Sequence, residues 1–277
     1  MPYGGPGAEK SPDAVSLEMI FMDIERHAYR QIEQLNQRGG RTLSIVDLMQ
    51  AGTLSIEMAA CAMRAMHQGA SLLTGARPGG AGKTTLMAAI LNFLPPEVPL
   101  VTVDGSHVIS EGLACSRAVP ACYLAHEIGS GDWYGYIWGR DVADFFSLID
   151  GNRRVASCLH ADTLDEVNDI LCSAPLNVPP PALRRVGVVL FMHVARGAGG
   201  YRRRVATFWE ADGHGEHELR FQWDAPTDTF RQVGELDQPA QLGQYVQFLQ
   251  QLLDQGEVET AAVRRKVLAF YRDGKSQ

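Results

Sequence analysis

The sequence predicts an α/β fold with a mostly parallel sheet, and three observations carry that reading. Short apolar runs alternate with helical patterns between about residues 70 and 174, the signature of strands joined by crossover helices. A glycine-rich turn closing on Gly82-Lys83-Thr84 sits between the first apolar run and the first of those helices. Polar residues then stand at the tips of three later runs: Asp104, Glu127 and His160. In a parallel sheet the C-terminal strand ends share one edge, where ligands bind.

The elements follow in order. Residues 1–10 are rich in Gly and Pro and are read as a disordered start. "SPDAVSLEMIFMDIERHAYRQIEQLNQRGG" reads as a helix, capped by Ser11, eased by Pro12 and stopped at Gly39-Gly40. Two shorter helices are expected, from Ser44 to about Gln50 and from Ser55 to about Gln68. The second puts Ile56, Ala59, Ala60, Met63 and Met66 on one face. "ASLLTG" is the strand before the glycine turn, and the helix from Lys83 is halted by Pro95-Pro96. "PLVTVD", "ACYLAHE" and "RVASCLH" are further strands. "GRDVADFFSLIDG" and "TLDEVNDILCSA" are helices. After "VGVVLFMHVA" the pattern turns to period two in "YRRRVATFWEAD" and "ELRFQWDAPTDTFRQV", a hairpin or meander. Two helices close the chain, at about 238–254 and 257–272. The expected organisation is thus a start and N-terminal helix at 1–40, an α/β core at 41–235 and a C-terminal helical segment at 236–277.

Composition narrows the function classes. The formal charge of −7 offers no broad attraction to nucleic acid, so no nucleic-acid partner is expected. The five cysteines are scattered without C-x-x-C spacing, which argues against a zinc site or a disulfide framework. The longest apolar run, Val186–Met192, is too short to span a bilayer, and the start lacks the pattern of a signal peptide, so the chain reads as cytoplasmic.

The glycine turn has the parts of a phosphate loop. Residues Arg77, Pro78, Gly79, Gly80, Ala81, Gly82, Lys83, Thr84 and Thr85 form the expected cradle for ATP. Glycines let successive amides face an anion, the helix start adds its dipole, and Lys83 reaches the outer phosphates. Thr84 is the expected Mg2+ ligand, with Glu127 beside it. The loop's usual first glycine is replaced by Arg77, with Gly75 and Gly79 to either side. Of the three strand-tip residues, Glu127 is the expected water-activating acid. Asp104 is assigned supporting contacts to metal and water, and His160 the γ-phosphate contact.

These residues resemble the secretion-system motor ATPases, which power type II and type IV secretion and type IV filament assembly. The archaeal-type filament motors are nearest. "PLVTVDGSH" is similar to the family's acidic box, "YLAHEIG" to its Walker B strand and "ASCLHADTLDEV" to its histidine box. The resemblance runs from about Arg41 to near the C-terminus. It implies a RecA-like P-loop core, MgATP, a hexameric ring, a membrane platform protein as partner, and a place at the inner face of the cytoplasmic membrane. Lys83, Glu127 and His160 carry over position by position. Departures are Arg77, His126 in place of the Walker B glycine, Gly129 in place of an arginine, and "GSGDWYGYIWG", which resembles an insertion.

Other readings stay open. A degenerate homologue that binds ATP as a regulatory or scaffold subunit fits the altered motifs, and a small-molecule kinase fits the loop alone. Arg117 matches one expected arginine position. Arg140, Arg153 and Arg154 either reach a neighbour's nucleotide or form an exposed basic turn. Arg202–Arg204 read as a strand with solvated and interface faces. Trp133, Tyr134, Tyr136 and Trp138 either stack on adenine, grip a partner, or fold onto the core.

Overall fold

Side chains alternate across a strand, and in this chain both faces of the central strands are apolar, so the sheet has to be covered twice. The computed structural model describes residues 25–36, 39–116, 118–197, 200–212, 214–236 and 239–274. The readings made for residues 1–10, for Ser11 and Pro12, and for Arg117 lie outside the described residues. Helix α1 is present over 25–34.

Helices α2 (Ile45–Gln50) and α3 (Ile56–His67) begin just after Ser44 and Ser55, where the two helices were expected to start, and both serines cap them. Ser44 accepts from the Asp47 amide while the Asp47 carboxylate accepts from the Ser44 amide, a reciprocal capping box. Then come β1 (Leu72–Gly75), α4 (Lys83–Leu91), β2 (Leu100–Thr102), α5 (Ser106–Ala114) and β3 (Ala121–Leu124). Two short strands, β4 (Glu127–Ile128) and β5 (Tyr136–Ile137), precede α6 (Arg140–Ser147) and β6 (Arg153–Leu159). Next are α7 (Leu164–Cys172), α8 (Pro180–Leu183) and β7 (Val188–Gly197). The chain continues through β8 (Gly200–Ala211), β9 (His217–Asp224), β10 (Thr229–Gln232), α9 (Pro239–Asp254) and α10 (Thr260–Gly274).

The main sheet runs β10-β9-β8-β7-β1-β6-β3-β2. Neighbours from β7 through β2 are parallel, and β7 to β10 are antiparallel. This is a mixed α/β fold whose central sheet is mostly parallel. Leu72, Cys122, Leu124, Ala156, Cys158 and Leu190 face a layer that holds α1–α4, α9 and α10. Leu73, Tyr123, Val155, Leu159, Val189 and Phe191 face α5–α8. Residues from the 236–277 segment (Leu249, Val267) and from α1 (Ile32) share one buried cluster with α3 and α4. Arg64 of α3 donates to Glu210 of β8 at 2.8 Å inside this layer. Arg220 of β9 approaches the same carboxylate at 3.5 Å, so these two buried guanidiniums share one counter-ion.

Four elements depart from the sequence reading: α5, β4, β5 and α8 were not expected. Helix α5 buries only Ile109 and Gly112 and starts at Gly105 without a side-chain cap, so neither periodicity nor capping announces it. The two readings offered for Arg153 and Arg154 are both corrected. The pair is buried, at 3% and 6% exposure, because it opens β6, a strand flanked on both sides. Arg153 pairs with Asp150 at 2.8 Å and donates to the Gly112 carbonyl. Arg154 donates to the Met66 carbonyl at 2.6 Å near the C-terminus of α3, where the helix dipole favours a cation.

Candidate functional site

The turn between β1 and α4 is shaped by close approach. A Cβ on Gly75 would lie 2.5 Å from the Ala161 carbonyl and 2.7 Å from the Phe191 ring, so only glycine lets β1 leave the sheet here. Gly80 and Gly82 follow with φ of 77° and 103°, the left-handed region that curls the backbone into a concave nest. Among the described residues, the amides of residues 79–85 donate to no partner. The first bond of α4 is Leu86 N to Gly82 O.

Arg77, which stands at the usual first glycine, does not enter the nest. Its backbone amide donates to Asp162, and its guanidinium forks onto Glu166 at 2.5 and 3.0 Å. A backbone bond from Asp162 and then the Arg77 guanidinium hold the Glu166 carboxyl below its ordinary value. Arg77 therefore fastens the loop's start to α7, and Pro78 is exposed beside it.

Lys83 is buried, at 6% exposure. Its Nζ donates to the Ala76 carbonyl at 3.1 Å, and among the described residues no carboxylate lies within 4 Å of it. A buried ammonium held by one carbonyl and ringed by free amides calls for an anion. The residues present therefore fit a phosphate group.

His160, just past β6, lies between the loop and the acid. Its Nδ1 donates to the Arg77 carbonyl at 2.8 Å, and its Nε2 is 2.7 Å from Glu127 Oε1. Lys83 Nζ is 3.4 Å from the same Nδ1, a neighbour rather than a partner, since both atoms are donors there. The other oxygen, Glu127 Oε2, accepts from the Tyr136 hydroxyl at 3.3 Å. Thr84 sits in the first turn of α4, with its hydroxyl 3.9 Å from Cys158 Sγ.

These groups open onto a cavity of about 920 Å³, lined by residues 79–85 together with Glu127, Tyr136 and His160. The structure thus brings Lys83, His160 and Glu127 together. Asp104 stands apart: it is exposed, 3.7 Å from His107, and is not among the lining residues. Its strand is the sheet's edge, three places from β1, or about 14 Å at the usual strand spacing.

Tyr136 and Arg203 both line the cavity and had no role assigned from the sequence. Tyr136 was one of four aromatics left open, and no pattern in its own run singles it out. Arg203 of β8 donates through Nε to the Gly80 carbonyl at 3.0 Å, and its Cδ would lie 3.2 Å from a Cβ on Gly82. Period-two alternation gives no sign that β8 folds over the phosphate loop. Of the remaining aromatics, Trp133, Tyr134 and Trp138 are exposed, and of these the Tyr134 ring meets the buried His126 ring edge-on at 5.4 Å. Arg140 is exposed too, 3.7 Å from Asp144 on its own helix.

His126, beside Glu127, is buried at 3% exposure with neither ring nitrogen hydrogen-bonded. Burial pushes it down from 6.5 to about 4. The unfolded chain takes up a proton below 6.5 while the folded chain resists until about 4. Stability from this residue is therefore whole above 6.5 and is lost as pH falls through that window, on the order of 3 kcal/mol in all. His126→Leu is expected to flatten the loss between pH 7 and pH 5, read as thermal melting of both proteins at the two pH values. An equal acid loss in the variant would place the effect elsewhere.

No helix among the described residues is long and apolar enough to cross a membrane. No protein-family model matches the chain, and no curated protein matches it. Among solved structures it is similar to the X-ray structure of the Legionella pneumophila ATPase DotB, at 11% identity and a TM-score of 0.39. The match covers 70% of this chain and 55% of that one, so the chain spans about half of that protein's length. A likeness this distant carries no argument about function.

Proposed function

We propose that the chain is an ATP-binding and hydrolysing motor subunit of the secretion or filament type. In this reading it has a RecA-like core and works as a ring with MgATP. The observation that carries this is the nest itself: free amides at 79–85 around a buried Lys83 ammonium without a carboxylate, with the Glu127–His160 pair at the same edge. Strand order supports it. Strand β6 lies between β1, which leads into the loop, and β4, which carries Glu127, so His160 at the end of β6 stands between the loop and the acid.

In this reading residues 79–85 bind the phosphates through their amides, and Lys83 lies against the outer ones. Thr84 and Glu127 would hold Mg2+, which would neutralise charge on the phosphates. His160 leaves Glu127 for the γ-phosphate, and the freed Oε1 orients water and takes its proton. Arg203, on the Gly80 carbonyl, adds positive charge beside the nest. The hexameric ring, the membrane platform partner and the inner-face location come from the family resemblance. Asp104 has no role in this arrangement.

A specific observation favours the second reading, a nucleotide-binding regulatory subunit: both Glu127 oxygens already have partners. Phosphate release by the purified protein with MgATP, beside its Lys83→Ala variant, separates the two. Lys83-dependent turnover supports the motor, while tight binding without turnover supports the regulator. Native mass on the same samples tests the ring, for which a hexamer with MgATP is expected. A monomer at micromolar concentration counts against it.

A further inference from the structure

Glu127 is held on both sides by the chain's own groups, and one of these comes from a segment that the family resemblance leaves unmatched. The loop "GSGDWYGYIWG" returns as β5 alongside β4, pairing Tyr136 with Glu127 and Ile137 with Ile128 in parallel register. Its backbone is pinned at two points. His126 N donates to Gly135 O at 2.7 Å, and Gly129 N donates to Ile137 O at 3.1 Å. Gly135 has φ of 75°, and a Cβ there would meet the His126 ring at 2.5 Å, so the return requires glycine at this position. On the other side a Cβ on Gly129 would lie in ordinary contact, 3.7 Å from the Tyr136 ring and 3.8 Å from Glu127 Oε1, so that position does not itself require glycine.

We propose that Tyr136 is a positioning residue for Glu127: its hydroxyl holds Oε2 and so turns Oε1 toward His160 and the phosphate loop. A carboxylate rotates freely about its last torsion unless one oxygen is tethered. Tethering Oε2 leaves a single oxygen to face the reacting phosphate, and an aligned base is worth far more than an unaligned one. Burial and the Glu127 charge push the Tyr136 phenol above its ordinary value, so it remains a donor at neutral pH. Tyr136 touches no reacting atom and acts through Glu127. The inference rests on the hydrolytic reading of the site.

Tyr136→Phe keeps the ring and removes only the donor, which separates packing from positioning. Four proteins are compared for MgATP turnover: wild type, Tyr136→Phe, Glu127→Gln and the double variant. Affinity for a fluorescent ATP analogue and melting temperature are read on each. Tyr136→Phe is expected to lower kcat about tenfold with affinity and KM within about twofold. In the Glu127→Gln background the same change is expected to cost less than about twofold, because the group it acts through is gone. Turnover of Tyr136→Phe within twofold of wild type overturns the proposal. An equal fractional loss in both backgrounds also overturns it, by showing an action independent of Glu127. Absence of Lys83-dependent turnover in the wild type removes the hydrolytic reading and this role together, a result distinct from either.

Discussion

Lys83→Ala is expected to weaken ATP binding by at least about a hundredfold and to end phosphate release, because the ammonium supplies charge-assisted bonds to the outer phosphates. Those bonds form deep in the fold. Lys83 is buried, donates to the Ala76 carbonyl, and has no carboxylate within 4 Å among the described residues. Water cannot replace it cheaply there, and the free amides of residues 79–85 cannot supply a full charge. The same geometry predicts an opposite effect on the protein without nucleotide. A buried ammonium held by one carbonyl is a desolvation cost, so Lys83→Ala is expected to leave the melting temperature unchanged or raised. Affinity for a fluorescent ATP analogue, phosphate release and thermal melting, measured with and without MgATP, check both halves. Turnover at the wild-type rate in Lys83→Ala would falsify the placement of the phosphates against this residue.

Glu127→Gln is expected to keep nucleotide affinity within a few-fold and to lower turnover by about 10²–10⁴, the usual contribution of a positioned acid–base group. The amide has nearly the same shape. It can keep the 2.7 Å contact to His160 Nε2, through its NH2 group to a neutral ring or its carbonyl oxygen to a doubly protonated one, and lie beside the Tyr136 hydroxyl. What disappears is the negative charge that orients water and takes its proton. Single-turnover phosphate release from preformed complexes separates this loss from a binding defect. Undiminished turnover in Glu127→Gln would remove the residue from the chemistry and leave the nest as a binding site alone.

Much of the site was legible along the chain. Gly80, Gly82, Lys83 and Thr84 announce a phosphate loop because the nest needs left-handed backbone and a helix start at adjacent positions, and both are local properties. His160 and Glu127 stood out as polar ends of apolar runs. By the same rule Asp104 was grouped with them, and there the rule stops. A strand tip faces the ligand only if its strand lies near the loop, and β2 lies at the edge. Arg203 and Tyr136 escaped for a related reason. Each reaches the site from a strand whose pairing partner is not written in its own pattern: β8 against β7, and β5 against β4.

By itself the sequence determined the alternation of strands and helices, the starts of α2 and α3 at Ser44 and Ser55, and the phosphate nest. These depend on propensities and backbone conformations within a few residues of one another. Only the tertiary structure decided that β6 lies between β1 and β3, that Arg153 and Arg154 are buried, and that Tyr136 and His160 share Glu127. Those outcomes follow from which strand edges pair. Edge pairing is settled by packing across the whole core, where residues far apart in the chain compete for the same faces.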